Sequence, residues 1–136
     1  MKIFLVCSKH FYHLLPPIQK ELESQGHIVQ LPNSYTEPFK EEELKKQSLE
    51  DHIRWKQDML RKDEANILGN DAILCINYEK KGQPNYIGGA TFLEIATAFR
   101  LKKMIYLLNP IPENIFKDEL TGMNPVIIAG DVSKLI

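Results

Sequence analysis

The sequence contains only two cysteines among its 136 residues, too few for a fold held together by disulfides. Cys7 and Cys75 both fall in or beside apolar runs that predict buried strands. A thiol in such a position usually behaves as a small hydrophobic side chain. Two buried thiols without a disulfide framework favour a reducing cytoplasm.

Long apolar runs and a dominant charge are also missing. No segment approaches the roughly 20 apolar residues of a membrane span. The five-residue apolar stretch near the N-terminus predicts a first strand, since a signal peptide needs a longer apolar core. Seventeen basic and eighteen acidic residues give a net charge of -1, which draws the protein neither to nucleic acid nor to an anionic membrane. The composition, 43% hydrophobic, predicts one globular domain over residues 1–136.

Apolar runs and helical patterns alternate along the chain. The apolar runs predict five strands, at residues 2–7, 27–31, 71–77, 103–108 and 125–129. Helical spacing of apolar residues predicts helices at 14–24, 41–68 (one long helix or two shorter ones), 91–101 and 113–120. This alternation, with short connections, predicts an α/β fold in which a five-stranded parallel sheet carries helices on both faces.

The glycine pair Gly88-Gly89 leads into a helix predicted to carry Glu94 in its first turn. Ligands of such sheets bind at the carboxyl ends of the strands, so Glu94 is expected at the rim of a cleft. In one interpretation Thr91 and Glu94 form a capping box and serve the helix alone. In the other, the helix N-terminus keeps Glu94 ionised, and the carboxylate attacks the anomeric carbon of a sugar. The two glycines either let a ligand approach the backbone or allow a positive φ.

Three further polar residues lie near the same predicted edge. Asp63, towards the end of the long charged helix, is a candidate second carboxylate, although a solvated acid beside Lys62 is the plainer interpretation. Asn77 and Tyr78 follow the third predicted strand. They could hydrogen-bond a base or a sugar hydroxyl, or they could simply begin a loop.

The turn after the first strand carries Ser8 and Lys9 just ahead of a helix. Helix N-termini bind phosphate, and a lysine would assist. The turn lacks the repeated glycines of the dinucleotide fingerprint and of the P-loop, so both are rejected. His10 and His13 have no further ligands at metal spacing, and we predict neither a metal site nor a cofactor.

The charged middle of the chain has a structural interpretation. The run Glu41–Lys46 is typical of a solvated helix face, with acids preceding bases. Trp55 and Phe92 are interpreted as packing residues. A protein-binding surface formed by Glu37–Lys62 is a further hypothesis, less favoured because solvation alone explains the charges.

Three segments together resemble the nucleoside 2-deoxyribosyltransferase superfamily, which includes the deoxynucleoside 5'-monophosphate N-glycosidases. They are Ile3–Ser8, Asp63 with the following Asn70-Asp71-Ala-Ile-Leu, and Gly88–Ala98. The resemblance runs from residue 1 to about residue 108, and the spacing from Asp63 to Glu94 is its most specific part.

The resemblance implies a flavodoxin-like (Rossmann-like) three-layer sandwich. It also implies cleavage of an N-glycosidic bond in a nucleoside or nucleotide through a glycosyl-glutamate intermediate. In that pattern Glu94 is the nucleophile, Asp63 the active-site helix carboxylate and Ser8 a ligand contact. Members of the superfamily are commonly homo-oligomers in which a neighbouring chain completes each pocket, so a homodimer or larger assembly is expected.

The sequence departs from the family at position 88, where an aspartate or serine usually contacts the sugar or phosphate and this chain has Gly88. Tyr86 or Asn85 could substitute from the preceding loop. The segment from 109 to 134 also differs from the transferase C-terminus. Two hypotheses follow: an N-glycosidic-bond enzyme, and a catalytically silent nucleotide- or nucleoside-binding module of the same fold.

Overall fold

Five short apolar segments form one parallel sheet in the computed structural model, which describes residues 1–135. The strands are β1 (Lys2–Val6), β2 (Ile28–Gln30), β3 (Ala72–Cys75), β4 (Met104–Leu107) and β5 (Val126–Ile127). Their order across the sheet is β2-β1-β3-β4-β5, and every neighbouring pair is parallel. The predicted α/β class with a five-stranded parallel sheet is confirmed.

Within residues 1–135, five α-helices and two 3₁₀ helices connect and cover the strands. The α-helices are α1 (Leu15–Ser24), α2 (Lys40–Gln47), α3 (Leu49–Leu68), α4 (Gly89–Arg100) and α5 (Lys117–Met123), and the 3₁₀ helices span Lys9–Leu14 and Val132–Lys134. None of these helices combines the length and apolar content that a membrane crossing requires.

The segment predicted as one or two helices forms two, because the chain breaks at Ser48. This residue is extended (φ −160°, ψ 130°), and its side-chain oxygen accepts from the Asp51 amide at 3.4 Å. Such a cap satisfies one of the free amides at the start of α3. Helix α5 begins four residues later than predicted, since the Asn114 side chain accepts from the Phe116 amide at 2.8 Å and holds the chain in a turn.

The sheet is buried on both faces, as a parallel sheet with crossover helices must be. Side chains alternate along β1, so that Ile3 and Leu5 face one layer while Phe4 and Val6 face the other. Helix α1 covers the first face with Leu15, Ile18 and Leu22. Helices α3, α4 and α5 cover the second with Ile67, Ile95, Ala98 and Leu120. The result is the expected flavodoxin-like three-layer sandwich.

The strand order places a ligand-binding edge between β1 and β3. From β1 the chain moves outward to β2, then returns across β1 to β3 and continues in the other direction. The loops after β1 and β3 therefore separate at the carboxyl ends of the strands. Open parallel sheets bind their ligands in the crevice at such a switch point.

Candidate active site

A cavity of about 510 Å³ lies at the carboxyl ends of β1, β2 and β3. Its walls come from the turn after β1, the segment after β2, helices α2 and α3, and the start of α4. Trp55 and Met59 of α3 contribute apolar surface, among otherwise largely polar side chains. This volume lies in the range of ordinary small-molecule sites.

Two carboxyl groups meet in this cavity, Glu94 from α4 and Asp63 from α3. They are hydrogen-bonded to each other, and Glu94 is only 9% exposed. Burial, and then the negative charge of Asp63, raises the pKa of Glu94 well above its usual value. Burial also raises the pKa of Asp63, to about 6. Two carboxyl groups in contact do not both ionise easily, so the pair favours a state that shares one proton, and the deeper burial of Glu94 favours the proton on Glu94.

Helix α4 begins earlier than predicted, and this overturns two expectations about Glu94. Gly88 is the N-cap and no side chain caps the helix, so Thr91 lies within the first turn and Glu94 in the second. The capping-box interpretation is therefore wrong. The helix N-terminus does not keep Glu94 ionised either, because the dipole effect is confined to the first turn and burial raises the pKa.

Glycine at position 88 is favoured by a close contact with a side chain and not by its backbone angles. Gly88 is extended (φ −89°, ψ −179°), a conformation open to any residue. A Cβ built there would lie 2.8 Å from the Tyr86 hydroxyl and 3.3 Å from its Cζ. The phenol thus fills the space that a side chain at position 88 would occupy, on the wall of the cavity. A positive φ, one of the two interpretations of the glycine pair, is not found at Gly88 or Gly89.

The turn after β1 contributes Ser8, Lys9 and His10 to the cavity wall. The Ser8 hydroxyl accepts from the His10 amide at 3.4 Å and caps the 3₁₀ helix. The Lys9 ammonium forms an ion pair with Glu42 of α2. Lys9 is therefore already partnered, and its contact with a phosphate stays a prediction.

Asn77 lies outside the cavity, contrary to the prediction that it contacts a substrate. It is fully buried, and its side-chain oxygen accepts from the Asn109 amide at 2.9 Å. Its nitrogen donates to the carbonyls of Asn109 at 2.9 Å and Pro110 at 3.1 Å. Asn77 therefore joins the segments that follow β3 and β4. Tyr78 likewise packs edge-on against Phe11, with ring centroids 5.9 Å apart.

The run Glu41–Lys46 is not the plain solvated face that its pattern indicates. Glu41, Glu42 and Lys45 all line the cavity. Glu41 bonds the ammonium of Lys56 at 3.1 Å and the Nε2 of His52 at 3.0 Å, which joins α2 to α3. The charged segment therefore forms one wall of the site.

The two aromatic residues interpreted as packing residues differ in their surroundings. Phe92 does pack, stacked on Phe116 with centroids 4.4 Å apart and planes inclined by 12°. Trp55 is only half-buried and lines the cavity, so the packing interpretation is wrong for this residue.

Asn33 and Cys7 line the cavity beside the carboxyl pair. The Asn33 amide nitrogen donates to the Asp63 carboxylate at 2.5 Å. Asn33 belongs to no recognisable motif, and its only signal in the sequence is its place just after β2, at the same edge as the turns after β1 and β3. Cys7 is buried beside the pair, and burial raises the pKa of its thiol well above its usual value, so the thiol stays neutral. Within residues 1–135, no three His, Cys, Asp or Glu side chains are grouped as metal ligands would be.

Comparison with known proteins agrees with this architecture. No family model and no curated protein matches the sequence. Among solved structures, a 2-deoxyribosyltransferase from the psychrotolerant bacterium Bacillus psychrosaccharolyticus is similar over 90% of this chain and 82% of that chain, with a TM-score of 0.54 and 22% identity. The chain has the 2-deoxyribosyltransferase fold. At 22% identity the likeness establishes the fold alone.

Proposed function

We propose that this protein cleaves the N-glycosidic bond of a nucleoside or a (deoxy)nucleoside 5'-monophosphate, with Glu94 as the nucleophile. The observation that carries the proposal is the buried Glu94–Asp63 pair, which shares one proton in a cavity of about 510 Å³. A glycosidic bond to a base is broken most easily when a nucleophile attacks the sugar carbon while an acid protonates the departing nitrogen. A singly protonated carboxyl pair supplies both.

In the first step the shared proton moves from Glu94 to Asp63 across their hydrogen bond. The ionised Glu94 then attacks the anomeric carbon, and a carbon–oxygen bond forms as the carbon–nitrogen bond breaks. Asp63 gives its proton to the departing base. The products are a glycosyl ester on Glu94, an ionised Asp63 and the free base.

In the second step water or another base attacks the anomeric carbon of the glycosyl ester. Asp63 accepts the proton that the attacking group loses. Glu94 leaves as a carboxylate and the pair regains its single proton. Hydrolysis and base exchange differ only in the attacking group. In retaining glycosidases the two carboxyl groups stand about 5 Å apart, whereas direct contact here resembles a dyad that shares a proton.

The other cavity residues fit the parts of such a substrate. Trp55 and Met59 offer an apolar wall for the base, and the hydroxyls of Ser8 and Tyr86 can hydrogen-bond the sugar. Gly89, where an added Cβ would meet nothing within 4 Å, lets a ligand approach the backbone at the start of α4, whereas the Tyr86 phenol covers Gly88. Lys9 would meet a 5'-phosphate by exchanging its partner Glu42.

The test is incubation with deoxynucleosides, ribonucleosides and their 5'-monophosphates, with and without a second base, scoring free and exchanged base by chromatography. We expect release of base from at least one substrate. Glu94→Gln should lower the rate about 100-fold or more, since it removes the nucleophile. Glu64→Gln, which changes an exposed carboxyl of α3, is the matched control and should keep the wild-type rate. Release by Glu94→Gln at the wild-type rate would contradict the proposal.

A second candidate function is binding without turnover. It is favoured by the protonated state of Glu94, since a nucleophile that keeps its proton does not attack. Thermal-shift measurements with the same compounds separate the two functions. A pure binding module is stabilised by a ligand from which no base is released.

We further propose a homo-oligomer. Exposed apolar side chains on α3 and α4, outside both core clusters, support it: Leu49, Ile53, Leu60 and Leu93. Analytical ultracentrifugation would test it, and a single monomeric species at all concentrations would contradict it.

A further inference from the structure

A chain of side-chain amides leads from the carboxyl pair to the outer part of α3. The Asn33 nitrogen donates to Asp63 Oδ1 at 2.5 Å, and the Asn66 nitrogen donates to Asn33 Oδ1 at 2.5 Å. Asp63 and Asn66 both lie on α3, three residues apart and hence on one face of the helix. Asn33 comes from the segment after β2 and lies between them.

This chain has a direction that depends on the charge of Asp63. An ionised carboxylate can only accept hydrogen bonds, so the amide of Asn33 must present its nitrogen to it. The oxygen of Asn33 then faces Asn66, which must donate in turn. A protonated Asp63 would be served equally well by the reverse arrangement. The network as it stands therefore favours the charged form of Asp63 over the neutral form.

The other ionisable groups around the pair do not take this role. Burial raises the pKa of the Cys7 and Cys75 thiols and of the Tyr12 hydroxyl well above their usual values, so these groups stay neutral between about pH 4 and pH 8. Lys56 of α3 acts on both carboxyl groups through its charge and so favours neither strongly. The hydrogen bonds to Asp63 come from Glu94 and Asn33.

We propose that Asn33, oriented by Asn66, is a positioning residue that keeps Asp63 ionised and thereby holds the shared proton on Glu94 until a substrate binds. The proposal rests on the proposed function for its catalytic consequence. The nucleophile is masked in the free protein and is uncovered when the proton crosses to Asp63. Asn33 touches no reacting atom and acts through Asp63.

Two substitutions test this role. Asn33→Leu keeps a similar volume and removes the donor. Asn66→Asp is nearly isosteric, and its carboxylate would accept from the Asn33 nitrogen and turn the oxygen of Asn33 towards Asp63. Both should raise the pH at which the pair loses its first proton, by about one unit, because a hydrogen bond to the charged form is lost. In Asn33→Leu, which adds no charge, the loss of the second proton should not move, since Asp63 is ionised before and after it.

The primary readout is titration of the pair by carbon NMR with labelled carboxyl groups, which needs no turnover. In Asn33→Leu the acidic limb of the plot of kcat/KM against pH should move to higher pH together with the first NMR titration step, while the alkaline limb stays in place. The double substitution supplies a control for the added charge. Asn66→Asp should shift the titration less when Asn33 is already leucine, because the relay is then absent.

An unchanged first titration in a folded Asn33→Leu protein would overturn the proposal, as would equal effects of Asn66→Asp in both backgrounds. If Asn33→Leu fails to fold, Asn66→Leu takes its place, since it removes the donor that orients Asn33 without adding a charge, and an unchanged first titration in that protein would overturn the proposal. Absence of base release by the wild-type protein would instead contradict the proposed function, and the NMR titration would still decide the role of Asn33.

Discussion

Replacing Glu94 with glutamine removes a buried carboxyl group. Above about pH 4.5 this group keeps its proton more readily in the folded protein than in the unfolded chain. The folded-state pKa of Glu94 is raised well above 4.5, chiefly by burial. Above that pH the unfolded chain binds fewer protons than the folded protein, so the free energy of unfolding falls as the pH rises. A group in this position lowers stability by about 1.4 kcal/mol per pH unit for as long as the folded protein keeps its proton.

Asp63 acts in the same direction over a narrower range. Its pKa rises from 3.8 to about 6 on folding. As the pH rises from about 4 to about 6, this shift lowers the free energy of unfolding by about 3 kcal/mol. Glu94→Gln removes the loss of stability that comes from the raised pKa of Glu94. It also reduces the loss that comes from Asp63, because the glutamine amide can donate to the ionised Asp63. We therefore expect the variant to gain stability relative to wild type as the pH rises above about 5, by about 1.4 kcal/mol for each pH unit over which the wild-type protein keeps the proton on Glu94.

Urea unfolding followed by circular dichroism, at half-unit steps of pH, measures this difference. Titrations common to both proteins cancel in the difference. Glu64→Gln serves as control, and should differ from wild type by less than about 0.5 kcal/mol at every pH. A stability difference between Glu94→Gln and wild type that does not grow from about pH 5 to pH 7 would refute the assignment of a proton to Glu94.

Three further substitutions test the cavity and its support. Gly88→Ala places a Cβ 2.8 Å from the Tyr86 hydroxyl, so the phenol must shift. KM should then rise several-fold with little loss of stability. The control Gly122→Ala, whose Cβ meets nothing within 4 Å, should leave the kinetics unchanged. Trp55→Ala should raise KM about tenfold or more with a smaller effect on kcat if the base lies on the indole, and an unchanged KM would argue against that contact. Asn77→Leu leaves buried partners without hydrogen bonds and should lower the free energy of unfolding by about 3 kcal/mol, measured with urea.

The fold could be predicted because each strand leaves a local signal. The apolar runs around Ile3–Val6 and Ala72–Cys75 are long enough to require burial on both faces, and the helices between them fix the parallel arrangement. The ends of elements were less predictable. Helix α4 begins at Gly89 and not at Thr91, within a glycine pair that propensity alone places outside a helix.

The candidate site could be predicted in part. Glu94 and Asp63 were identified, and the structure brings their carboxyl groups together. Their charge state could not be predicted, because burial and mutual contact decide it. Asn33 and Glu41 lack any local pattern, since they enter the cavity only through the packing of the β2 loop and of α2 against α3. A cytoplasmic location stays a prediction.

Mass spectrometry of the protein quenched in acid during turnover tests the central claim most directly. In the absence of a second base, the account predicts a glycosyl adduct on the peptide that contains Glu94. In Asp63→Asn the adduct should form more slowly, because the acid for the departing base is missing, and should also break down more slowly, because no group accepts a proton from the attacking water. Base release without any adduct on Glu94, in wild type and in Asp63→Asn alike, would contradict the account.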